Sequence, residues 1–444
     1  MTLQFSCRFR TFFVALIQFS VVFYLFAGQA RAGTLDPTFG TGGKVTVDFP
    51  FSSQPTYDSY GNYIFIQPSG RIVAVGTHRQ QGAKGMATGV AMAGLTPTGA
   101  LDSTFASGGK ALDWQAGTLN GLSDAQMLPD GRILRLSQFI QMFGLIGVQL
   151  KRIDVNGFEE SFSPNVNVEQ YSLPGKIAVQ RDGKILVIIK SSTSTNRVYL
   201  IRLNPDGSRD ATFAWEGVKE IPRISGMPNL GVLSMQTLPD GKILIAGSLG
   251  FSSSTGDYSE IFLLRLDRDG NVDHTFGRLG LVRRDFSGQR INASELVIQP
   301  DNKYVVTGII KNPDRDAFLA RFTQRGKTDS GFGTSGLVVT DFSPGADDYI
   351  ESAAVTSDGK IIAVGAATAL PSTFFNFLVA RYAADGTLEA HTRTTFTPSQ
   401  TAFANDVLIQ PDGKILVVGF TRNPDPAVSG NVFAFARYTA ITND

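Results

Sequence analysis

The stretch Gln410-Pro411-Asp412-Gly413-Lys414-Ile415-Leu416-Val417-Val418-Gly419 decides the fold. An apolar run, Val407-Leu408-Ile409, leads into Pro-Asp-Gly-Lys, and a second apolar run leaves it. Proline presets φ at the first central turn position, Asp tolerates tight turn geometry, and Gly supplies a positive φ. Two short β-rich runs flanking such a turn read as a β-hairpin. Each run is too short for a helix of ordinary length.

Edited copies begin at Gln67, Leu128, Gln180, Leu238, Gln299 and Thr356, so the unit occurs seven times, 52 to 61 residues apart. That period belongs to propellers and solenoids. Other elements recur in phase. One is an Arg-bearing run, as in Phe318-Leu319-Ala320-Arg321-Phe322. Another is Leu35-Asp36-Pro37-Thr38-Phe39-Gly40, followed by a run such as Gly43 to Phe49. Each unit therefore holds four strand candidates. The pattern predicts an all-β protein, a seven-bladed β-propeller of four-stranded antiparallel blades. An open solenoid is the rival, and the ends argue against it. Gly43 to Phe49 is a fourth strand with no first three, and Phe433 to Tyr438 is a third strand with no fourth. In a ring, the N-terminal strand completes the last blade and removes both edges.

These motifs resemble the delta-60 repeat family, a bacterial repeat expected to build β-propellers. The resemblance runs from about Leu35 to the C-terminus. It rests on Leu-Asp-Pro-Thr-Phe-Gly with Gly-Gly-Lys-Val, and on Gln-Pro-Asp-Gly-Lys-Ile-Leu-Val-Val-Gly. It implies the fold and almost nothing about function. The copies at Lys151 to Phe162 and at Thr387 to Thr392 depart from the pattern.

The N-terminus reads as a processing segment. Arg8 and Arg10 precede an apolar run from Phe12 to Phe26, and Ala30-Arg31-Ala32 offers small residues where signal peptidases read. The run is shorter than the ~20 residues that span a bilayer. The expectation is a signal peptide over 1–32 and a propeller over 33–444, exported to a periplasmic, cell-surface or extracellular site. Membrane contact is then limited to the transient signal. Cleavage removes three of 40 basic residues and no acid, against 39 acids in all. A near-neutral chain argues against nucleic-acid binding. The single cysteine, Cys7, lies in the signal, so packing rather than disulfides must stabilise the mature chain.

One third-strand position is basic in six units, at Arg152, Arg202, Arg265, Arg321, Arg381 and Arg437, while the first unit has Gly94. A bare charge among Phe, Leu and Tyr is costly. The fourth strand offers carboxylates at one phase. The expected structural pairs are Arg152–Glu169, Arg202–Glu220, Arg265–Asp285, Arg321–Asp341 and, across the closure, Arg437–Asp48.

Catalytic signatures are thin. His78, His274 and His391 have no metal-ligand spacing, and no Gly-x-Ser-x-Gly elbow occurs. Gly326-Lys327-Thr328 lacks the leading Gly of a phosphate loop. No cofactor is expected, apart from a Ca²⁺ candidate at Asp267, Asp269 and Asp273. Oxygen side chains there alternate around Gly270, although equivalent turns keep only the Gly.

In a propeller the first-to-second and third-to-fourth turns share one face. Here that face carries the repeated motifs. The variation falls on the other face, in loops such as His78 to Gly89, Ser248 to Glu260 and Ser343 to Ile350. Loops on a rigid scaffold carry binding residues. The candidates are Tyr57, Tyr60, His78, Arg79, Trp114, Phe251, Tyr258, Arg290, Asp347, Asp348, Tyr349, Phe374 and Phe375. One ring is better defined. Tyr63, Asp124, Lys176, Ser234, Glu295, Ser352 and Asp406 occupy one phase, assigned to the channel mouth where each first strand starts. The leading expectation is a non-enzymatic scaffold that binds a protein or glycan through the variable face. The rivals are a glycan hydrolase or lyase using Asp124, Glu295 and Asp406, and a structural envelope component.

Overall fold

The computed structural model describes residues 33–50, 56–82, 85–113, 119–140, 146–162, 164–168, 172–191, 197–221, 230–253, 256–286, 289–311, 313–368 and 373–439. The segment read as an export signal, Trp114 and Glu169 lie outside the described residues. The chain forms a seven-bladed β-propeller. The inner strands of blades 1 to 7 are Tyr57–Ile66, Leu119–Met127, Ser172–Val179, Leu230–Thr237, Arg290–Ile298, Asp348–Val355 and Ala402–Ile409.

Blades 1 and 3 to 6 each place four antiparallel strands in sequence order. Blade 7 takes its fourth strand from the N-terminal side. Lys44 to Val47 pairs with Ala436 to Phe433, as the unmatched ends predict. In blade 2 a side chain does part of the fourth strand's work. The Val148 N–H donates to Asn167 Oδ1 (3.0 Å), and Asn167 Nδ2 donates back to the Val148 carbonyl (3.2 Å). One parallel bridge, Thr88 to Leu119, joins the sheets of blades 1 and 2.

The core is a set of wedges between neighbouring blades. At the closure, Phe39, Val47 and Phe433 pack with Ile72 and Ala74 of blade 1. Between blades 5 and 6, Leu319 and Phe332 pack with Ile361 and Leu378. The strands therefore need apolar residues on both faces, which is why the second and third strands read as continuous apolar runs.

The repeated arginines are paired, and where the expected carboxylate is described it is not the partner. Arg202 meets Asp210 (2.7 Å), Arg265 meets Asp273 (2.8 Å), Arg321 meets Asp329 (2.8 Å), Arg381 meets Glu389 (2.7 Å) and Arg437 meets Asp36 (2.9 Å). Arg152 pairs with Glu160. The reason is antiparallel register. Each Arg lies at the end of its third strand, beside the turn, where Arg202 N–H donates to the Gly217 carbonyl. The expected partners that the structure describes lie at the far end of the fourth strand, while Glu169 lies outside the described residues. Glu220 stands opposite Tyr199, and Asp285 opposite Glu260. Asp341 follows Thr340, the partner of Ala317. Asp48 instead accepts the Tyr57 hydroxyl (2.6 Å), and Glu220 approaches Arg197 (3.7 Å).

The partner actually used is the acid of the Leu-Asp-Pro-Thr-Phe turn, and the motif makes a clamp. The Arg lies over the Phe of the same turn at 4.3 Å (Phe213), 4.5 Å (Phe276), 4.4 Å (Phe332) and 4.7 Å (Phe39). It also donates to a carbonyl of the next blade, Arg202 to Arg268 (2.6 Å) and Arg265 to Gln324 (2.7 Å). The Lys of Pro-Asp-Gly-Lys reaches the same acid, at 2.8 Å for Lys184–Asp210 and 3.2 Å for Lys414–Asp36. Blade 1, with Gly94 at the Arg position, uses Arg71 from its own hairpin turn on Asp102 (2.6 Å). Burial works against ionisation of Asp36, Asp210 and Asp273. The turn Thr and the basic partners outweigh it and hold these carboxyls well below the usual range.

Candidate functional site

The predicted polar ring converges. Tyr63, Asp124, Lys176, Ser234, Glu295, Ser352 and Asp406 all line one cavity of about 320 Å³ in the central channel. It lies within the strands, however, not at the mouth where they start. Asp406 is midway along Ala402–Ile409, and Asp124 midway along Leu119–Met127.

A bulge explains the placement. In six inner strands the register slips just before the ring residue, between Gly61 and Tyr63, Leu122 and Asp124, Val232 and Ser234, Ala293 and Glu295, Ile350 and Ser352, and Ala404 and Asp406. The extra residue re-aims its neighbours. It adds Asn62, Ser294, Glu351 and Asn405 to the cavity wall, none of which sequence reasoning singled out. The last Gly of the repeated motif is the signal for the bulge. Gly76, Gly308, Gly365 and Gly419 stand opposite the slip. A Cβ on Gly419 would lie 1.9 Å from the Phe403 carbonyl oxygen, and one on Gly365 2.0 Å from that of Tyr349. In blade 3 the inner strand supplies the glycine, Gly175.

The ring carboxylates stitch blade to blade. Asp124 accepts the N–H of Ile177 (2.7 Å), and Asp406 that of Ile64 (2.9 Å), each in the next blade. Ser352 donates to Asp406 (2.9 Å) and Ser234 to Glu295 (2.8 Å). Lys176 lies 3.6 Å from Asp124 and 5.8 Å from the Tyr63 ring centre. Burial opposes the Lys176 charge, but Asp124, Tyr63 and Glu295 outweigh it and raise its pKa. Burial pushes Asp124 and Glu295 up and carries Asp406 up to about 7. Glu351 also rises to about 7, by burial alone. The cavity thus holds at least two carboxyls poised to exchange protons near neutral pH.

Above the cavity on the variable face lies an aromatic ridge. Tyr60 meets Phe420 (4.8 Å), Phe420 stacks with Phe403 (5.9 Å), and Phe403 meets Tyr349 (5.2 Å) and Phe375 (5.6 Å). All five rings are half-buried. Arg79 lies over Tyr60 (5.6 Å), and Arg315 over Tyr349 (5.8 Å) while pairing with Asp347 (2.5 Å). Tyr60, Tyr349 and Phe403 sit two residues before Asn62, Glu351 and Asn405, so the ridge stands about 7 Å up the same strands. Sequence reasoning named Tyr60, Arg79, Tyr349, Phe375 and Asp347. It missed Phe403 and Phe420, which sit on strand ends rather than loops.

The other candidates divide. Tyr57 and His78 are buried, His78 bonded to Ser59 (2.9 Å). Asp348 is fully buried, and its Oδ2 accepts the N–H groups of Phe342 and Ser343. The loops expected at 78–89 and 248–260 are extended hairpins, paired out to Gly82–Gly85 and Ser253–Gly256. The side chains of Phe251 and Tyr258 lie outside the described residues. The Ca²⁺ reading at Asp267, Asp269 and Asp273 is corrected. Asp273 belongs to the Arg265 clamp. Asp267 closes its own turn on the N–H groups of Asp269 and Asn271. These three carboxylates do not converge; among the described residues Asp316, Asp341 and Asp348 do.

Residues 180–213, 238–276, 299–332, 356–391 and 410–440 match the family model described as a domain of unknown function (DUF5122) beta-propeller. This is a β-propeller repeat protein. In the propeller each matched segment starts at the first hairpin turn of its blade, in blades 3 to 7, and runs through the second and third strands. Lys176 precedes the first matched segment, and Ser234, Glu295, Ser352 and Asp406 fall between the segments. No curated protein matches the sequence. Among solved structures, the propeller is similar to a protein of unknown function from Dyadobacter fermentans (13% identity, 90% of this chain and 100% of that one, TM-score 0.47). It is also similar to an ulvan lyase of polysaccharide lyase family PL25 (9% identity, 85% and 94%, TM-score 0.49). A third is an α-L-arabinanase of Penicillium chrysogenum (12% identity, 71% and 92%, TM-score 0.43). Likeness at this level carries nothing about ligand or reaction.

Proposed function

We propose that this is an exported propeller that binds a glycan on its variable face, with the channel cavity as the floor of the site. The aromatic ridge carries the reading. Five partly exposed rings from blades 1, 6 and 7 form a continuous aromatic strip, and apolar surface of this kind marks binding sites. Sugar rings present apolar C–H faces to such a surface and hydroxyls around the edge. Arg79, Arg315 and Asp347 flank the strip with donors and acceptors, and Asn62, Glu351 and Asn405 lie beneath it. Retention of the mature chain on immobilised polysaccharides tests the proposal. Phe403→Ala and Tyr349→Ala are expected to weaken retention at least tenfold. Unchanged retention in both variants would sink it. Export is tested separately by the N-terminus of the processed chain, expected at Gly33.

A second reading has its own observation. Glu351 and Asp406, pushed up to about 7, have the protonation behaviour of a general acid or base. In this reading the bound glycan is cleaved by these cavity carboxyls. Release of reducing ends or unsaturated products, abolished in Glu351→Gln, distinguishes cleavage from binding alone.

A further inference from the structure

The geometry points to a Ca²⁺ site at the junction of blades 5 and 6, formed by Asp316, Asp341 and Asp348. Asp316 lies in the third strand of blade 5, Arg315–Phe322. Asp341 directly follows the fourth strand of that blade, Leu337–Thr340. Ala317 pairs with Thr340, so Asp316 and Asp341 face each other just beyond the ladder. Asp348 opens the inner strand of blade 6. One carboxylate oxygen from each lies within 4.8 Å of the others. That is the span across one Ca²⁺ ligated at about 2.4 Å.

The second observation is unmet bonding capacity. Asp348 is 0% exposed and Asp316 6% exposed. In each, Oδ1 is buried and has no hydrogen-bond partner. Asp348 Oδ2 is occupied by the Phe342 and Ser343 N–H groups, and Asp341 Oδ1 by the Ser343 N–H. An uncompensated buried carboxylate oxygen is costly, and here two of them lie beside a third acid. Neighbouring cations do not fill the gap. Arg315 is held by Asp347, and Arg393 donates to the Phe342 carbonyl and the Ser343 hydroxyl. An all-oxygen, carboxylate-rich set selects a hard divalent cation. The ion would tie the 341–348 connection to blade 5 and fix the strand that carries Tyr349.

The site does not depend on the glycan proposal, and the probe is the metal alone. Melting of the mature chain is followed in EDTA and in graded CaCl2, with Tb³⁺ luminescence sensitised by Tyr349 as a direct readout. Ca²⁺ is expected to raise the melting midpoint by a few degrees and to displace Tb³⁺. Asp316→Asn and the exposed Asp341→Asn are expected to weaken Ca²⁺ at least tenfold. Asp341→Asn should melt like the parent in EDTA, so loss of binding there is not loss of folding. Asp267→Asn should bind as the parent does. No Ca²⁺ effect on the parent chain, or an effect that survives both Asp316→Asn and Asp341→Asn, overturns the site.

Discussion

The two faces of the ring solve the same problem differently. On the repeat-turn face six of the seven junctions are held by one device, an Arg paired with the turn acid, an aromatic ring under the guanidinium and a bond to the next blade, while blade 6 keeps the charge pair of Arg381 and Glu389. In the channel and on the variable face, the equivalent positions differ from blade to blade. Tyr63, Lys176, Ser234 and Asp406 share a phase but not a chemistry. The clamp carboxyls of Asp36, Asp210 and Asp273 are held ionised by their partners, whereas burial pushes the channel carboxyls of Asp124, Glu295, Glu351 and Asp406 up. A repeat unit therefore divides into a part that must be the same for the ring to close and a part that need not be.

The sharpest break in that comparison comes from the clamp. Arg265→Ala leaves Asp273 without its main partner and Phe276 uncovered. The loss is expected to be about 3–5 kcal/mol, read by urea denaturation. An exposed pair should not matter so much. Next comes the motif glycine. Gly419→Ala drives a Cβ into the Phe403 carbonyl, and a cost of about 3 kcal/mol is expected. It should also disturb the Asp406 bulge, visible as altered ligand retention, which the clamp variant spares if it remains folded.

The third prediction uses pH to separate the faces. Glu351 and Asp406 have folded pKa values raised to about 7. Their contribution is full below the unfolded carboxyl pKa of about 4 and is lost as pH rises through 7. The clamp acids behave oppositely. Their folded values are depressed, so their contribution is present above about pH 4 and is lost as pH falls below it. Glu351→Gln should flatten the decline between pH 5 and 8, by on the order of 2 kcal/mol, and leave the acid limb unchanged. The smallest effect tests the surface. Arg132 and Asp130 form an exposed pair within one turn, and Asp130→Asn is expected to cost under about 0.5 kcal/mol.

Much of the fold was legible because the repeat states it seven times. Hairpin turns, strand order and ring closure all follow from spacing and from the unmatched ends. The charged residues show where a linear reading fails. The Arg phase is legible but its partner is not, because phase along a repeat does not reveal which end of an antiparallel ladder two residues share. The polar ring was found by phase too. Glu351 and Asn405 were not, because a bulge turns two successive residues inward where alternation allows one. The aromatic ridge joins Tyr60 to Phe420 and Tyr349 to Phe403, residues brought together only by the curvature of the ring. Asp348 is legible in sequence only as a variable-face loop candidate and Asp316 not at all, because nothing in a linear reading shows that both are buried with an oxygen unmet.

The closing strand has a mechanical consequence. Thr34 and Thr439 are bonded side by side at the seam, so a force pulling the two ends apart meets the ladder from one end. Its bonds then break in turn, as in a zip, rather than together as in shear. Just behind the Leu35–Tyr438 bridge that force meets the Asp36 clamp, held by Arg437 and Lys414, which makes this cluster the latch of the seam.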